Sequence, residues 1–289
     1  GGGASFYFVR RGAFDFSFSD ASLKPRSIPE PQLGAGILAA KDPAIRMVYI
    51  WGANPVAMLP DSETVAQSLR SREFTVVVDP FLTDSARCAD LVLPTTTFLE
   101  EDDFIGSYGH HYLAELKPVV APPEGVLSDH EIFRELSRRL GIAEGFDVDA
   151  AEWKGRLLNK LKAAGVNQAD FAKGYVKSPF AADVLFANRK FNTPSGKVNL
   201  IHQLDVQLMQ VPQKSELKVT AVSTGKSQAS QWPDGTQEGP TDAVVHPSAA
   251  PNHNDGDIAT ITTGKASMQV RLSFNSNQRP DVLLMEKGG

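Results

Sequence analysis

Three short apolar runs, separated by segments that favour helices, constrain the fold of this chain more than any other feature. The runs are MVYIWG at 47–52, FTVVVD at 74–79 and LVLP at 91–94. Each is bounded by turn-forming residues and is too short for a typical helix, which favours β-strands. Continuously apolar strands are typical of parallel sheets, because crossover helices cover both faces of such a sheet. The first part of the chain is therefore predicted to be an α/β domain with a doubly wound, mostly parallel sheet.

Helix signals lie between and after these runs. Asp61 stands where it can cap a helix over 62–70, and Thr83 where it can cap a short helical turn at 84–89. Both segments follow a predicted strand, as the crossovers of a parallel sheet require.

Further along the chain, an S-x-x-E capping box at 128–131 predicts a helix that ends at Gly141 in a left-handed cap. A second helix is predicted over 151–165 from apolar residues that recur on one face. The segment at 110–120 is predicted to form a strand pair at the edge of the sheet.

After a turn-rich region at 175–217, the predicted secondary structure changes from mixed helices and strands to strands alone. The segments AVVHP, IATITT and SMQVRLSF are typical of strands, and the last of them alternates apolar and polar residues. We therefore predict two domains, an α/β domain at 1–213 and an all-β sandwich or small barrel at 214–289.

Composition narrows the class of function. A net charge of -5 over 289 residues provides no basic field for nucleic acid or an anionic membrane, and no apolar run reaches the length of a membrane span. The single cysteine, Cys88, excludes an internal disulfide, an all-cysteine zinc site and an iron–sulfur cluster ligated by cysteines of this chain alone. We expect a cytoplasmic rather than a periplasmic protein. Because the sequence opens on three glycines and stops soon after an apolar run, we also expect a piece of a longer protein.

Polar residues at the ends of the predicted strands form the candidate site. Asn54 follows the first strand and Asp79 ends the second, and ligands of parallel sheets bind beyond the carboxyl ends of the strands. A carboxylate there offers two acceptors to a ribose diol or to the paired N–H donors of a guanine edge. Helix starts near Asp61 and Thr83 bring backbone N–H groups toward a diphosphate. Together these residues indicate a nucleotide-like ligand.

A purely structural interpretation of the same residues stays open at this point. Asn54 can make a turn before Pro55, and Asp79 can begin a turn before Pro80. Asp129 lies in the first turn of its helix, where the helix dipole stabilises a negative charge by about 0.3–1 kcal/mol.

Two other motifs are better explained by structure than by ligand binding. GAGILA at 34–39 fits G-x-G-x-x-A, but it follows a proline-rich loop instead of a strand, and the nearby acid Asp42 is too close to contact a ribose. His110 and His111 are adjacent, so on a strand they face opposite sides and do not share a metal.

The order of five motifs resembles the C-terminal half of the molybdopterin oxidoreductases, the dimethyl-sulfoxide-reductase superfamily. The motifs are GANP, VVDPFLTDSARCADLVLPTTTFLE, SYGH, SDHEIFREL and FNTPSGK. They occupy Gly52–Pro55, Val77–Glu100, Ser107–His110, Ser128–Leu136 and Phe191–Lys197. The tail resembles the molybdopterin-dinucleotide-binding domain of these enzymes, a double-psi β-barrel, and ends before the last strands of that barrel.

The resemblance implies that the chain grips a bis(molybdopterin guanine dinucleotide) cofactor that carries molybdenum or tungsten. By position, Asn54 would contact the dinucleotide, Asp79 the guanosine ribose or base, Thr83 the neighbouring polar region and Asp129 the guanine. In this family the metal ligand and any [4Fe-4S] cluster belong to the preceding N-terminal half. No catalytic or metal-ligating residue is therefore predicted within this chain.

The function expected from this resemblance is the cofactor-binding C-terminal part of a molybdenum oxidoreductase. Its expected partners are the missing N-terminal half and an electron-transfer subunit. Two alternatives stay open: a non-catalytic scaffold subunit with the same fold, as in the large peripheral subunit of respiratory complex I, and an unrelated nucleotide-binding module. Acids and amides at the strand ends favour the first function, since a scaffold has no need of them.

Overall fold

The computed structural model describes residues 12–18, 26–106, 110–182, 184, 186–200, 216–223, 239–264 and 266–286. Most of the SYGH motif and the predicted domain boundary at 213 lie outside these residues, so that boundary stays a prediction. The described residues belong to two compact units, which we describe separately. The first unit draws on Gly1–Ser27, Val78–Pro80 and Val92–His202, and the second on Ile28–Val77, Phe81–Leu91 and Gln203–Gly289.

A three-stranded sheet carries the candidate strand-end residues. Its strands are β1 (Met47–Trp51), β2 (Phe74–Val78) and β3 (Leu91–Leu93), in the order β1-β2-β3. The amide of Asp90 donates to the carbonyl of Thr75, and the amide of Asp79 donates to the carbonyl of Leu93. Residue numbers therefore rise together along β2 and β3, which makes these two strands parallel. All three strands predicted from the apolar runs are confirmed.

The burial of these strands differs from the prediction at one place. Val76–Val78 of β2 are buried, as an apolar central strand should be. In β1, however, Met47 and Trp51 are 51% and 52% exposed, so the prediction of a fully buried strand was wrong there. The reason is position, because β1 lies at the edge of the sheet in the described residues.

Three helices of the second unit pack near this sheet. They are α1 (Leu33–Ala39), α2 (Pro55–Met58) and α3 (Ser62–Arg70). Helix α3 confirms the prediction over 62–70, and its Val65 and Leu69 are fully buried. Asp61 occupies the N-cap position in a left-handed conformation, but its side chain makes no capping hydrogen bond to the helix. The predicted helix is present without the predicted cap.

Gly34 explains the glycine-rich motif that begins at this residue. A Cβ atom added at Gly34 would lie 2.8 Å from the backbone nitrogen of Val65, closer than real Cβ atoms approach. Helix α1 therefore touches the backbone of α3 at this point, which only glycine permits. The motif therefore serves helix packing, a role that the sequence analysis did not predict when it rejected a dinucleotide fingerprint.

The first unit contains a separate antiparallel sheet. Its strands are β4 (Asp103–Gly106), β5 (Tyr112–Leu116) and β6 (Val176–Lys177), in the order β4-β5-β6. The predicted strand pair at 110–120 is wrong in its partners, because β5 pairs with β4 and β6 and not with the edge of the parallel sheet. The pairing of Tyr112 with Lys177 is long-range, and no local pattern in the sequence indicates it.

The helices of the first unit follow the sequence signals closely. They are α4 (Asp129–Leu140), α5 (Ala150–Leu157) and α6 (Asn159–Ala163). Ser128 and Glu131 form the predicted capping box, and Gly141 adopts the predicted left-handed cap with φ 71°. The single helix predicted over 151–165 is instead two helices that meet at Leu158. Within the described ranges, none of the helices has the length and hydropathy needed to cross a bilayer.

A buried lysine crosses the core of the first unit. The Nζ atom of Lys154, which is 5% exposed, lies 2.5 Å from Asp102 Oδ1, 2.7 Å from Glu115 Oε1 and 5.1 Å from the centre of the Phe104 ring. Burial lowers the pKa of Lys154, but its hydrogen bonds to the two carboxylates raise the pKa by more. Burial likewise raises the pKa of Glu115, and the hydrogen bonds from Lys154 and Gln168 lower it by more. The charges of this lysine network are thus mutually compensated.

An apolar cluster forms the core of the first unit. It contains buried aromatic and leucine side chains from β4, β5, α5 and α6, from the junction of the two helices, and from the segments around residues 14 and 171. Its larger members are Phe14, Phe104, Leu113, Leu157, Leu158, Leu161 and Phe171.

The tail of the chain forms a mixed five-stranded sheet in the second unit. Its strands are β7 (Lys218–Val222), β8 (Thr241–Val245), β9 (Ile258–Thr262), β10 (Ser267–Phe274) and β11 (Val282–Glu286), in the order β7-β11-β8-β10-β9. Strands β8 and β10 are parallel, as are β7 and β11, whereas β9–β10 and β8–β11 are antiparallel. Val270 and Leu272 are buried and Gln269 and Arg271 exposed, which confirms the predicted alternation in β10. In the described residues the sheet is open, so the double-psi barrel stays a prediction.

Candidate functional site

Asn54 lies between β1 and α2, and its side chain is almost fully enclosed. It is 3% exposed, and its Oδ1 accepts hydrogen bonds from the backbone N of Ser85 at 3.1 Å and from Ser85 Oγ at 2.8 Å. Ser85 is itself fully buried, and its Oγ accepts from the backbone N of Val56 at 3.1 Å. These bonds join the loop after β1 to the loop after β2, both within the second unit.

The other end of the Asn54 amide has no partner. Nδ2 is closed to solvent and makes no hydrogen bond among the described residues. Buried polar groups are nearly always hydrogen-bonded, so this unpaired donor in a loop at a strand end makes Asn54 a candidate for contact with a ligand. The structural alternative of a simple turn before Pro55 does not account for it, since the side chain makes no bond to the first turn of α2.

Thr83 caps the short helical turn that follows it, as the sequence predicted. Its Oγ1 accepts from the backbone N of Ala86 at 3.2 Å, and its carbonyl accepts from Arg87 N at 2.9 Å. The side chain is half-buried. Because Thr83 and Ser85 share one loop, the structure brings the Thr83 region together with Asn54.

Asp79 stands at the carboxyl end of β2 and is half-buried. Its backbone N donates to Leu93 O, the last residue of β3, at 3.3 Å. The predicted position at the end of a buried strand is therefore confirmed. Asp79 belongs to the first unit and Asn54 to the second.

Asp129 is the first residue of α4, and Thr95 holds it there. Thr95 Oγ1 donates to Asp129 Oδ1 at 2.6 Å, within the first unit. The other oxygen, Oδ2, has no hydrogen-bond partner among the described residues. Thr95 also forms an isolated bridge with Leu127, which ties the chain after β3 to the start of α4. Asp129 therefore lies in the first turn of α4, as its structural interpretation requires, and its Oδ2 has no hydrogen-bond partner among the described residues.

The two threonines that follow Thr95 also bind carboxylates. Thr96 Oγ1 donates to Glu101 Oε1, and Thr97 donates to Glu100 Oε2 through its backbone N at 2.7 Å and its Oγ1 at 2.9 Å. Burial raises the pKa of Glu101, the hydrogen bond from Thr96 lowers it in part, and the neighbouring carboxylates, Asp129 first, raise it again. The segment after β3 therefore concentrates negative charge beside Asp129.

A cavity of about 440 Å³ lies on the antiparallel sheet of the first unit. Its lining includes His110, Tyr112 and Tyr175, with Ile105, Leu113 and Ala114 beneath them. His110 Nδ1 accepts from the backbone N of Tyr112 at 3.1 Å, which leaves Nε2 as the protonated nitrogen of the neutral ring. No group of three or more His, Cys, Asp and Glu side chains suited to a metal ion occurs in the part of the chain that the structure describes.

Two residues at the strand ends escaped the sequence analysis. Ser85 and Thr95 were read as part of a motif, yet they hold Asn54 and Asp129 in place across 31 and 34 positions of sequence. Small hydroxyl residues are common in loops, and neither their spacing nor their type indicates a long-range partner. The sequence offered one indication, which is that Ser85 and Thr95 lie soon after predicted strands, where a buried hydroxyl needs a hydrogen-bond partner.

Part of the chain matches a known protein family. Residues 22–139 match the family model described as molybdopterin oxidoreductase. The whole chain is 28% identical to part of the probable oxidoreductase YyaE of Bacillus subtilis strain 168, covering 47% of that protein. A further relative, the probable oxidoreductase YoaE of the same organism, is 42% identical over 61% of this chain and 26% of its own length. The chain thus spans about half the length, or less, of these curated relatives.

Among solved structures, the chain is similar to acetylene hydratase from Pelobacter acetylenicus. The TM-score is 0.68 with 18% sequence identity, over 90% of this chain and 39% of that one. At this identity the likeness shows the fold alone.

Proposed function

We propose that this chain, whose residues 22–139 match the molybdopterin oxidoreductase family model, belongs to that family and binds the guanosine and diphosphate ends of bis(molybdopterin guanine dinucleotide). When bound, the cofactor supplies molybdenum or tungsten, at which the two-electron chemistry of a substrate takes place. The residues of this chain orient the cofactor and do not ligate the metal.

The unpaired amide of Asn54 is the observation that carries this proposal. Both lone pairs of Oδ1 are used by Ser85, so Asn54 can offer a ligand only its Nδ2 donors. An unpaired buried donor costs about 1–3 kcal/mol, which an acceptor oxygen of a phosphate or ribose would recover. Because Nδ2 is closed to solvent, the atoms that cover it must move for this contact to form.

Other candidate residues of each unit suit one part of a guanine dinucleotide. In the second unit, Thr83 Oγ1 accepts its capping bond and retains its own hydroxyl proton for a phosphate oxygen. In the first unit, Asp79 and Asp129 offer carboxylate acceptors to the hydroxyls of a ribose or the N–H groups of a guanine.

The tail supports the same proposal through its topology. Its two parallel pairs, β7–β11 and β8–β10, each join strands that are not consecutive in the chain. Such crossed connections are expected of the double-psi barrel that we propose for this part of the molecule. We further propose that the metal ligand and any [4Fe-4S] cluster come from another part of the enzyme, since Cys88 is the chain's one cysteine and is buried.

Replacement of Asp79 by Ala in the full-length enzyme tests the proposal. A hydrogen bond to a charged group contributes about 1.5–3 kcal/mol, so we expect cofactor affinity to fall roughly tenfold or more. The measurements are molybdenum content and guanosine monophosphate released by acid hydrolysis, per mole of purified protein, under limiting cofactor supply. The melting temperature should change little, because a half-buried acid at a strand end contributes little to the core.

The matched control is Glu63→Ala, which removes an exposed acid from the first turn of α3. It should leave both contents unchanged. Unchanged molybdenum and guanine contents in Asp79→Ala as well would favour the scaffold alternative and contradict the proposed role of Asp79.

A further inference from the structure

We propose that Ser85 is a positioning residue that fixes the orientation of the Asn54 amide, so that Asn54 presents only hydrogen-bond donors to the ligand. This inference rests on the proposed function, because it assigns the way in which the cofactor contact at Asn54 is built. It concerns residues of the second unit alone.

The two hydrogen-bond donors of Ser85, its backbone N–H and its hydroxyl, determine which way the Asn54 amide is oriented. The backbone N–H of Ser85 can only donate, so the atom of Asn54 that faces it at 3.1 Å must be the oxygen. Ser85 Oγ carries one proton and already accepts from Val56 N at 3.1 Å, which leaves that proton for Asn54 Oδ1 at 2.8 Å. Two donors from the same residue thus saturate Oδ1 and exclude the flipped amide.

The consequence is a chemical selection at the site. With Oδ1 used, the free part of Asn54 consists of the two N–H bonds of Nδ2, for which no acceptor exists among the described residues. A phosphate oxygen, a ribose oxygen or a carbonyl can accept from them, whereas a ligand donor cannot. Without the Ser85 hydroxyl, only the backbone N–H at this position still holds Oδ1, so the amide is fixed less firmly and can rotate to present its oxygen, which would repel a diphosphate.

Burial strengthens this positioning role. Ser85 is fully buried and Asn54 nearly so, so water does not compete for their hydrogen bonds. The bond from Val56 N also connects Ser85 to the first turn of α2, which follows Asn54 directly. One hydroxyl group therefore holds both the side chain of Asn54 and the backbone next to it.

The test compares Ser85→Ala with Ser68→Ala in the full-length enzyme. Ser68 is a suitable control because it is also fully buried in the second unit, but its Oγ donates to the carbonyl of Val65 inside α3. We expect Ser85→Ala to lower the content of molybdenum and of hydrolytically released guanosine monophosphate about tenfold under limiting cofactor, as for the loss of one well-placed hydrogen bond. Ser68→Ala should lower neither, at a similar change in melting temperature.

A double-mutant cycle separates this inference from the proposed function. If Ser85 acts through Asn54, Asn54→Ala and the double variant should lose the same amount of cofactor. Additive losses would overturn the inference, because Ser85 would then act independently of Asn54. A normal cofactor content in Asn54→Ala would instead refute the proposed contact at Asn54 itself.

Two conservative variants cover the case in which Ser85→Ala does not fold. Ser85→Thr retains the hydroxyl and should retain most of the cofactor. Ser85→Cys keeps the approximate shape with a much weaker donor and should lose cofactor as Ser85→Ala is expected to. Equal cofactor contents in the Thr and Cys variants would show that packing, and not the hydroxyl, matters at this position.

Discussion

Two regions of the molecule bury polar side chains, and they do so in opposite ways. The lysine network of the first unit buries Lys154 and Glu115, which form an ion pair, and the exposed Asp102 is the second carboxylate partner of Lys154. The pair Asn54 and Ser85 of the second unit is neutral, and it leaves one buried donor without a partner. An ion pair between buried groups compensates their burial within the protein, whereas a buried donor without a partner carries an uncompensated cost.

The comparison shows that a buried charged residue in this chain can be explained by its contacts within the protein, whereas a buried neutral residue can lack such contacts. Lys154 is the most conspicuous buried group, yet its geometry explains it fully as a link between α5 and the antiparallel sheet. Asn54 carries no charge and is buried, but its Nδ2 has no hydrogen-bond partner among the described residues, and the proposed cofactor contact depends on this atom. Substitutions in the two regions should therefore separate stability from cofactor binding.

Lys154→Met should give the largest effect on stability. The substitution keeps much of the side-chain length but leaves Glu115 buried without its cation, which typically costs about 3–5 kcal/mol. Chemical denaturation of the full-length enzyme at neutral pH measures the loss. Lys162→Met, which changes an exposed lysine nearby, should cost little. If Lys154→Met instead lost cofactor at unchanged stability, the two regions would not differ in the way described.

The pH dependence of the lysine network follows from its two shifted groups. The lowered pKa of Glu115 means that its contribution is present above the unfolded value near 4.5 and is lost as the pH falls through the folded pKa. The raised pKa of Lys154 means that its contribution is present below 10.5 and is lost as the pH rises through the folded pKa. The difference in unfolding free energy between wild type and Lys154→Met should therefore shrink at both extremes. A difference that stays constant from pH 3 to pH 7 would contradict this account.

Gly34→Ala should have the next largest effect and act through the backbone. The added Cβ would collide with Val65 N, and overpacking of this kind costs about 1–3 kcal/mol. Gly155 in α5 provides the contrast, because a Cβ added there meets nothing within 4 Å. Gly155→Ala should be neutral or stabilise by up to about 1 kcal/mol through helix propensity. Thermal unfolding of the two variants decides whether the second unit depends on this close approach.

Glu101→Gln should have the smallest effect on stability, and it should stabilise the protein, whereas Lys154→Met and Gly34→Ala destabilise it. The raised pKa of Glu101 means that the folded state binds its proton more tightly, so stability declines as the pH rises above about 4.5. Removing the charge should raise the melting temperature at neutral pH by roughly 1–2 °C, as for a substitution of a partly exposed residue. Calorimetry at pH 7 and at pH 4 would show the gain at the higher pH only. A loss of stability at pH 7 would mean that the charged form is favoured where it lies.

Much of the fold could be predicted because its signals are local. The apolar runs give β1 to β3, the capping box gives the start of α4, and alternation gives β10. The antiparallel sheet could not be predicted in the same way, since β5 and β6 meet across more than sixty positions and no local period encodes such a pairing. Leu158 shows a second limit of the sequence analysis. The apolar spacing continues from α5 into α6, so the sequence did not predict that the helix breaks at this residue.

The sequence predicted that Asn54 and Asp79 follow strand ends, which the structure confirms, but it did not predict the hydrogen bonds of the candidate residues. The parallel sheet determines that Asn54 and Asp79 follow strand ends, and the resemblance to a family names a ligand for them. Which atoms are used and which are left over depends on hydrogen bonds to Ser85 and Thr95, whose distance along the chain hides them. The proposed role of Asn54 depends on a donor that has no partner among the described residues, and a sequence does not show which donors lack partners.

The order of strands in the tail has a consequence for how the protein is made. Strand β11 lies between β7 and β8, although it is the last of the five strands to leave the ribosome. Until Val282–Glu286 emerges, β7 lacks its hydrogen-bonded neighbour in the described sheet and β8 lacks one of its two. This sheet is therefore completed only near the end of translation of this segment, so its exposed edges are open to other nascent chains during that interval.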